Sequence, residues 1–270
     1  MKYKLVCSDL DDTLIDSHQQ LSDKVKEAIT RYVDAGGKFV IATGRMTSGV
    51  MPVCRELGLT GEVLTFQGAV VTDISTGKTL EEVVFENKEA VEIGSFIENM
   101  GYYYQTYIED YFITKKATEY TIMYGKLSVA KYKETGINVS EYLQKNNLRP
   151  PKILLMEDAE KIPEMLKNLK ENFRDKYLIN TSKPFIIEIV PKSINKGKAV
   201  ERLAQKYNIK REEVICIGDS ANDIPMLEYA GLGVAVDNAD FSTKKYADII
   251  APSCDEDGVA WVIENYALKK

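Results

Sequence analysis

At 270 residues the chain can hold one large or two modest domains and bury an ample core. Its 44% hydrophobic and 28% charged residues are those of a globular protein with no long biased tract, and a formal net charge of −6 disfavours a nucleic-acid surface. No apolar run approaches the roughly 18 residues that span a bilayer, and no secretory leader pattern opens the sequence. The expectation is a cytoplasmic protein with neither membrane nor nucleic-acid partners. Cys7, Cys54, Cys216 and Cys254 are far apart with no C-x-x-C pair, and read as inert thiols in a reducing compartment. The single histidine, His18, excludes His-rich zinc sites and disfavours a Ser-His-Asp triad.

In chain order, Tyr3 to Ser8 predicts a buried strand of a parallel sheet, which stops at Asp9, Asp11, Asp12 and Thr13. Ser22 is placed to cap a helix whose apolar positions Val25, Ala28, Ile29, Tyr32 and Val33 follow the 3.6-residue period, and Gly36-Gly37 ends it. Lys38 to Ala42 is a second buried strand, stopping at Thr43-Gly44-Arg45. A helix over Ser48 to Leu57 and a short strand at Val63 to Thr65 complete a βαβ rhythm. Gln67 to Val83 reads as a β-hairpin. Gly77-Lys78-Thr79 inside it resembles the end of a P-loop, but Thr72 stands where the first glycine is needed and no strand-to-helix turn is expected.

From about residue 84 the regular rhythm is lost. A helix over Lys88 to Met100, capped by Asn87, precedes strand-like Tyr102 to Ile108 and Tyr111 to Thr114. Later come strand-like Lys152 to Met156, a helix over Ala159 to Phe173, and strands at Tyr177 to Asn180 and Phe185 to Val190. Tyr124 to Pro151 resists assignment. After Pro191 the α/β rhythm returns: a helix over Lys196 to Tyr207, a strand at Val214 to Ile217, the group Gly218-Asp219-Ser220-Ala221-Asn222-Asp223, and a helix to Ala230. Short strands at Gly233 to Val236 and Asp248 to Ile250 precede a helix over Val259 to Leu268. This pattern predicts an α/β core from residues 1–83 and 191–270, interrupted by an α+β insert over 84–190.

Three buried strands thus end in polar groups, and the ends of parallel strands share one edge of the sheet, where ligands bind. Asp-x-Asp alone is weak evidence, since roughly one such pair is expected by chance. A second pair, Asp255 and Asp257, reads as a solvated loop after Pro252. Together with Thr43, Asp219, Asn222 and Asp223, however, Asp9 and Asp11 form a set of hard oxygen donors that suits Mg²⁺. Lys196, behind Asn195 at a helix start, brings a cation to the same edge, with Lys198 as its competitor. Such a site fits a phosphoryl group.

The motifs and their order resemble the haloacid dehalogenase superfamily, specifically the Cof-type hydrolases with a large cap between the second and third motifs. Asp9-Leu10-Asp11-Asp12-Thr13 is similar to the first motif, Thr43-Gly44-Arg45 to the second, Lys196 to the third, and Gly218 to Asp223 to the fourth. Asp12 stands where many members have glycine, and Gln67-Gly68 where relatives often have Asn-Gly. The resemblance implies an α/β fold, a Rossmann-like parallel-sheet core with an inserted α+β cap domain. It implies that Asp9 is the nucleophile and Asp11 the general acid and base. Asp9, the Asp11 backbone carbonyl, Asp219 and Asp223 would serve Mg²⁺. Thr43, Lys196 and Asn222 would bind phosphoryl oxygens, with Gly44 and Arg45 in the substrate-binding group. The activity expected is hydrolysis of small phosphorylated metabolites, sugar phosphates first, by a monomer or small homo-oligomer. A sugar-phosphate mutase or phosphotransferase, and an inactive ligand-binding or regulatory module, are the alternatives. The tyrosines between 102 and 111 read as half-buried sheet positions before they read as a pocket lining.

Overall fold

The computed structural model describes residues 1–128 and 130–269. Packing divides the chain into two compact units. One comprises Met1–Gly44, Val50–Leu80 and Asn195–Lys270; the other comprises Arg45–Gly49 and Glu81–Ile194.

The chain opens with β1 (Leu5–Ser8), α1 (Asp23–Asp34), β2 (Lys38–Ile41), α2 (Thr47–Glu56), β3 (Glu62–Thr65), β4 (Val70–Asp73) and β5 (Thr79–Glu82). The second unit holds α3 (Asn87–Asn99), β6 (Tyr104–Ile108), β7 (Tyr111–Thr114), α4 (Glu119–Ser128), β8 (Lys131–Glu134) and α5 (Val139–Asn146). It continues with β9 (Ile153–Met156), α6 (Ile162–Phe173), β10 (Tyr177–Lys183) and β11 (Ile186–Pro191). The chain then adds α7 (Lys196–Lys206), β12 (Val214–Gly218), α8 (Ile224–Tyr229), β13 (Leu232–Val236), α9 (Phe241–Lys244), β14 (Ile249–Ala251) and α10 (Gly258–Val262), the last continuing as a π-helical turn over Ile263–Ala267.

In the first unit, five parallel strands run β14-β13-β12-β1-β2, and a parallel bridge from Ala42 to Leu64 leads on to β3. Side chains alternate across this sheet as the strand period requires. Val6, Phe39, Ile41, Ile215 and Ile217 pack on one face with Val25 and Ile29 of α1 and Val259 of α10. Leu5, Cys7, Val40, Val214 and Cys216 pack on the other with Val200 and Leu203 of α7 and Met226 of α8. A sheet covered on both faces demands strands that are apolar throughout, which is why LVCS and VICIG read as continuous runs. Burying each such Leu, Ile or Val contributes about 1.5–3 kcal/mol relative to leaving it exposed. The register pairs Ser8 with both Ile217 and Ile41, so the residues following β1, β2 and β12 emerge at one edge.

In the second unit, a six-stranded sheet of order β10-β11-β9-β6-β7-β8 carries α3, α5 and α6 against one face. It is antiparallel except between β7 and β8. The unassigned stretch lies here, and its silence has a cause. Among the described residues of α4, Ile122 and Met123 are exposed while Thr121, Tyr124 and Ser128 are buried, so apolarity does not mark the buried side of that helix, and β8 is exposed along its length.

Three local expectations need correction. Asn87 does not cap α3: Glu86 holds that position, its N–H donating to Glu89 Oε2 at 2.9 Å. Asn87 instead donates to the carbonyls of Leu143 and Leu148, tying α3 to the end of α5. Asp255 and Asp257 are not merely solvated. Asp255 Oδ1 accepts the Ser17 N–H at 2.9 Å, and Asp257 Oδ1 accepts the hydroxyl of Ser22 at 2.5 Å. Ser22 does cap α1, its Oγ accepting the Val25 N–H at 3.1 Å, so Asp257 clips the start of α1 to a loop 235 residues away in the chain. The α-helical assignment from Val259 to Leu268 holds only as far as Val262, after which the turns widen.

All four cysteines are buried and unbridged, and burial pushes the Cys54 thiol up to about 12 and Cys216 well above its ordinary value. Gly77 takes φ 70° in the turn between β4 and β5, not at a helix start, so no P-loop forms. Among the described residues no helix is long and apolar enough to cross a membrane.

Candidate active site

Asp9 is the first residue past β1, and its N–H donates to Ile217 O at 2.9 Å, extending the pairing with β12 by one residue. That bond fixes the Cα of Asp9 and sends its side chain into the edge of the sheet, where the residue is buried. The chain then turns through Asp12 at φ 56°, a left-handed conformation that aspartate tolerates better than most residues and that glycine adopts freely. Thr13 is buried, and its hydroxyl donates to Asp219 Oδ1 at 3.2 Å.

After β12 the chain folds back on itself through 219–223. Gly218 is required there, because a Cβ on it would lie 2.5 Å from the Cβ of Asp223. Asp223 Oδ2 accepts the N–H groups of Asp219 (3.1 Å) and Ser220 (3.0 Å), while Oδ1 accepts from Lys196 Nζ at 2.6 Å. Asp223 occupies the N-cap position of α8 but makes no side-chain cap bond to that helix; its carboxylate serves the loop and the lysine.

Lys196 opens α7 behind Asn195, whose Oδ1 caps the helix by accepting the Lys198 N–H at 2.8 Å. Gly197 lets this first turn press on α8, since a Cβ there would meet Pro225 O at 2.2 Å. The Lys196 side chain is fully buried, and its ammonium donates to Asp9 Oδ1 and Asp223 Oδ1, each at 2.6 Å. Lys198 is exposed. Of the two competing lysines, Lys196 is the one at the carboxylates.

Oxygens of Asp9, Asp219 and Asp223 lie within 4.8 Å of one another. One ammonium therefore faces three carboxyl groups in a mostly water-free edge. Burial raises the Asp9 carboxyl to about 7 despite Lys196, with Asp223 and Asp11 adding to the rise. Burial, then Asp9 and Asp223, raise Asp219 to about 9. Burial alone would lower Lys196, but Asp223 and Asp9 outweigh it and hold the ammonium well above the ordinary lysine range. The donors are all carboxylate oxygens with negative charge in excess, which fits a hard divalent cation such as Mg²⁺.

The other expected residues fall as follows. Asp11 is half-buried two residues beyond Asp9, and its carboxylate is not a member of the three-carboxylate group. Thr43 is buried, its N–H donating to Leu64 O and its carbonyl accepting the Gln67 N–H. Gly44 follows at the same edge. Arg45 opens the Arg45–Gly49 segment, which groups with the second unit. Asn222 is half-buried and donates through Nδ2 to Gln67 Oε1 at 3.1 Å. Sequence reasoning did not place Gln67 or Ser220 as partners of Asn222. The available signals were the short Phe66-Gln67-Gly68 break between two apolar runs and the resemblance that marks Gln67-Gly68 against the relatives' Asn-Gly, neither of which names a partner.

The family described as haloacid dehalogenase-like hydrolase matches residues 6–263, nearly the whole chain, and the protein belongs to that family. A solved haloacid dehalogenase-like hydrolase from Bacteroides thetaiotaomicron is similar over 97% of this chain and 98% of its own, at 30% identity and a TM-score of 0.87. Among curated relatives, a provisionally named phosphatase of Streptococcus pyogenes serotype M6 is 30% identical over 99% of this chain and all of its own. The 5-amino-6-(5-phospho-D-ribitylamino)uracil phosphatase YwtE of Bacillus subtilis is 29% identical over 97% of each chain.

Proposed function

We propose that the protein is a Mg²⁺-dependent phosphatase of small phosphorylated metabolites, acting through an aspartyl-phosphate on Asp9. The observation that carries this reading is the pair of 2.6 Å contacts from one buried ammonium, Lys196, to Asp9 and Asp223, with Asp219 alongside. A structural ion pair needs one carboxylate; three around one lysine leave negative charge in excess, which a metal and a transferring phosphoryl group make use of.

Asp9, Asp219, Asp223 and the Asp11 backbone carbonyl would hold the metal. When bound, Mg²⁺ offsets the carboxylate charge and that of the phosphoryl oxygens. Lys196 favours the ionised form of Asp9 and aims its carboxylate oxygen. That oxygen attacks phosphorus, the bond to the substrate's ester oxygen breaks, and Asp11 gives its proton to the departing alkoxide. Asp11, now a carboxylate, takes a proton from a water that attacks the aspartyl-phosphate, releasing inorganic phosphate and restoring Asp9. Thr43, Gly44 and Asn222 supply donors to the phosphoryl oxygens, and Arg45 contacts the substrate.

Sugar phosphates head the substrate classes. The name of the Bacillus subtilis relative adds a phosphorylated ribityl compound, itself a polyol phosphate. A panel of phosphorylated metabolites assayed for phosphate release with Mg²⁺ tests the reading. Release abolished by EDTA and by Asp9→Asn is expected. Activity that survives both treatments, or an isomeric sugar phosphate appearing in place of free phosphate, would count against hydrolysis by this route.

A further inference from the structure

We propose that Gln67 is a positioning residue of the phosphoryl site, holding the Asn222 amide and the Thr43–Gly44 backbone at a set separation. The proposal rests on the phosphatase reading above, and all the groups involved lie in the first unit.

The turn that carries Gln67 is unusual. Phe66, Gln67 and Gly68 take φ of 51°, 61° and 87°, three successive residues in the left-handed region, of which only the last is glycine. Such backbone is costly for an aromatic residue, and it persists where surrounding structure holds it. Here the restraints are visible. The Gln67 N–H donates to Thr43 O at 3.0 Å, and the Ala69 N–H donates to Phe66 O at 3.1 Å. Gly68 lies so close to α7 that a Cβ on it would come 2.5 Å from Ala199 Cβ and 3.2 Å from Asn195 O. The turn is therefore wedged between the end of β2 and the residue preceding Lys196.

The strained backbone places the side chain. Gln67 is buried, and its Nε2 rests on Gly44, where an added Cβ would lie 2.6 Å away. Its Oε1 accepts from Asn222 Nδ2 at 3.1 Å, and Asn222 Oδ1 accepts from Ser220 Oγ at 2.6 Å. Ser220 in turn gives its N–H to Asp223. Both ends of the Asn222 amide are thus engaged, which fixes its plane and directs its second N–H for a phosphoryl oxygen. An asparagine at position 67 would be one methylene, about 1.5 Å, too short to make the same bridge from the same backbone. Gln67 does this without touching the reacting atoms.

The test uses the full chain with Mg²⁺ and p-nitrophenyl phosphate, with inorganic phosphate as competitive inhibitor. Gln67→Met keeps the length and packing of the side chain but offers Asn222 only a weak acceptor. The inhibition constant for phosphate should rise about three- to tenfold, the effect of one neutral hydrogen bond, while half-activation by Mg²⁺ stays unchanged. Gln67→Gly, which accepts the positive φ but loses the amide and its packing, should raise it at least as much, again with half-activation by Mg²⁺ unchanged; a merely structural residue would move Tm without moving the phosphate constant selectively. In an Asn222→Ala background, Gln67→Met should add less than about twofold to the loss in kcat/KM. An unchanged phosphate constant in Gln67→Met, or losses that multiply in the double variant, would overturn the role. If the unaltered protein neither hydrolyses p-nitrophenyl phosphate nor is inhibited by phosphate, the phosphatase reading itself has failed. Normal wild-type behaviour with an unaffected Gln67→Met removes the positioning role alone.

Discussion

The ammonium of Lys196 lies 2.6 Å from Asp9 Oδ1, and the two side chains are 0% and 7% exposed. They are 187 residues apart in the chain. A lysine buried this completely is stable only while its carboxylate partners stay, and they in turn depend on it.

Removing that cation has a defined cost. Lys196→Met keeps most of the volume but leaves Asp9 and Asp223 without their shared donor. Breaking a buried pair in this way costs about 3–5 kcal/mol. Urea denaturation without metal should show a loss of that order near neutral pH, smaller in acid, where the carboxyl groups can take up protons. A loss under about 1 kcal/mol would mean that the pair is not held as described.

The proposed metal site ties cation binding to pH through Asp9 and Asp219. Their folded pKa values, about 7 and about 9, exceed the 3.8 of an unfolded aspartate. Without metal the native state therefore binds more protons than the unfolded state between about pH 4 and those values. By linkage, stability falls as pH rises through that window. A bound divalent cation favours the ionised forms and reverses the loss. The gain in Tm on adding Mg²⁺ should be small near pH 5 and grow toward pH 8. A gain independent of pH would contradict the carboxylate assignment.

Asp11 and Asp219 should separate by function. Asp11→Asn removes a proton donor and acceptor while retaining the backbone carbonyl, so kcat should fall by about 10²–10⁴ with little change in Mg²⁺ affinity. Asp219→Asn removes a carboxylate from the three-carboxylate group and should weaken Mg²⁺ at least about tenfold. Equal losses of Mg²⁺ affinity in the two variants would remove the distinction.

Away from the site, Ser22 both caps α1 and donates to Asp257. Ser22→Ala should cost about 1–2 kcal/mol by thermal or urea unfolding, with the larger figure reflecting the stranded Asp257 carboxylate. kcat/KM should be unaffected. A cost near zero would mean that water replaces both bonds.

The strands of the first unit were legible because each is buried on both faces: a continuous apolar run such as LVCS has few other uses. Their polar stops were legible for the same reason, since Asp9, Thr43 and Asp219 stand at or just past the ends of the apolar stretches LVCS, FVIA and VICIG. Residues 124–151 were not, because in α4 the exposed side carries Ile122 and Met123 and every residue of β8 is largely exposed. The cap of α3 was misplaced by one residue because Glu86 and Asn87 are both plausible at a helix start. Only the tertiary bonds of Asn87 to Leu143 and Leu148 decide between them.

The sequence alone pointed to the candidate acids and to the order of the motifs, because those depend on residue type and on strand ends that local patterning reveals. Which lysine turns inward, that Asp223 gives one oxygen to its loop and the other to Lys196, and that Gln67 reaches Asn222 were decided only by the fold. Those outcomes depend on how separate elements come together in space, over 27 residues for Lys196 and Asp223 and over 155 and 187 for Asn222 with Gln67 and Lys196 with Asp9, which no local pattern encodes.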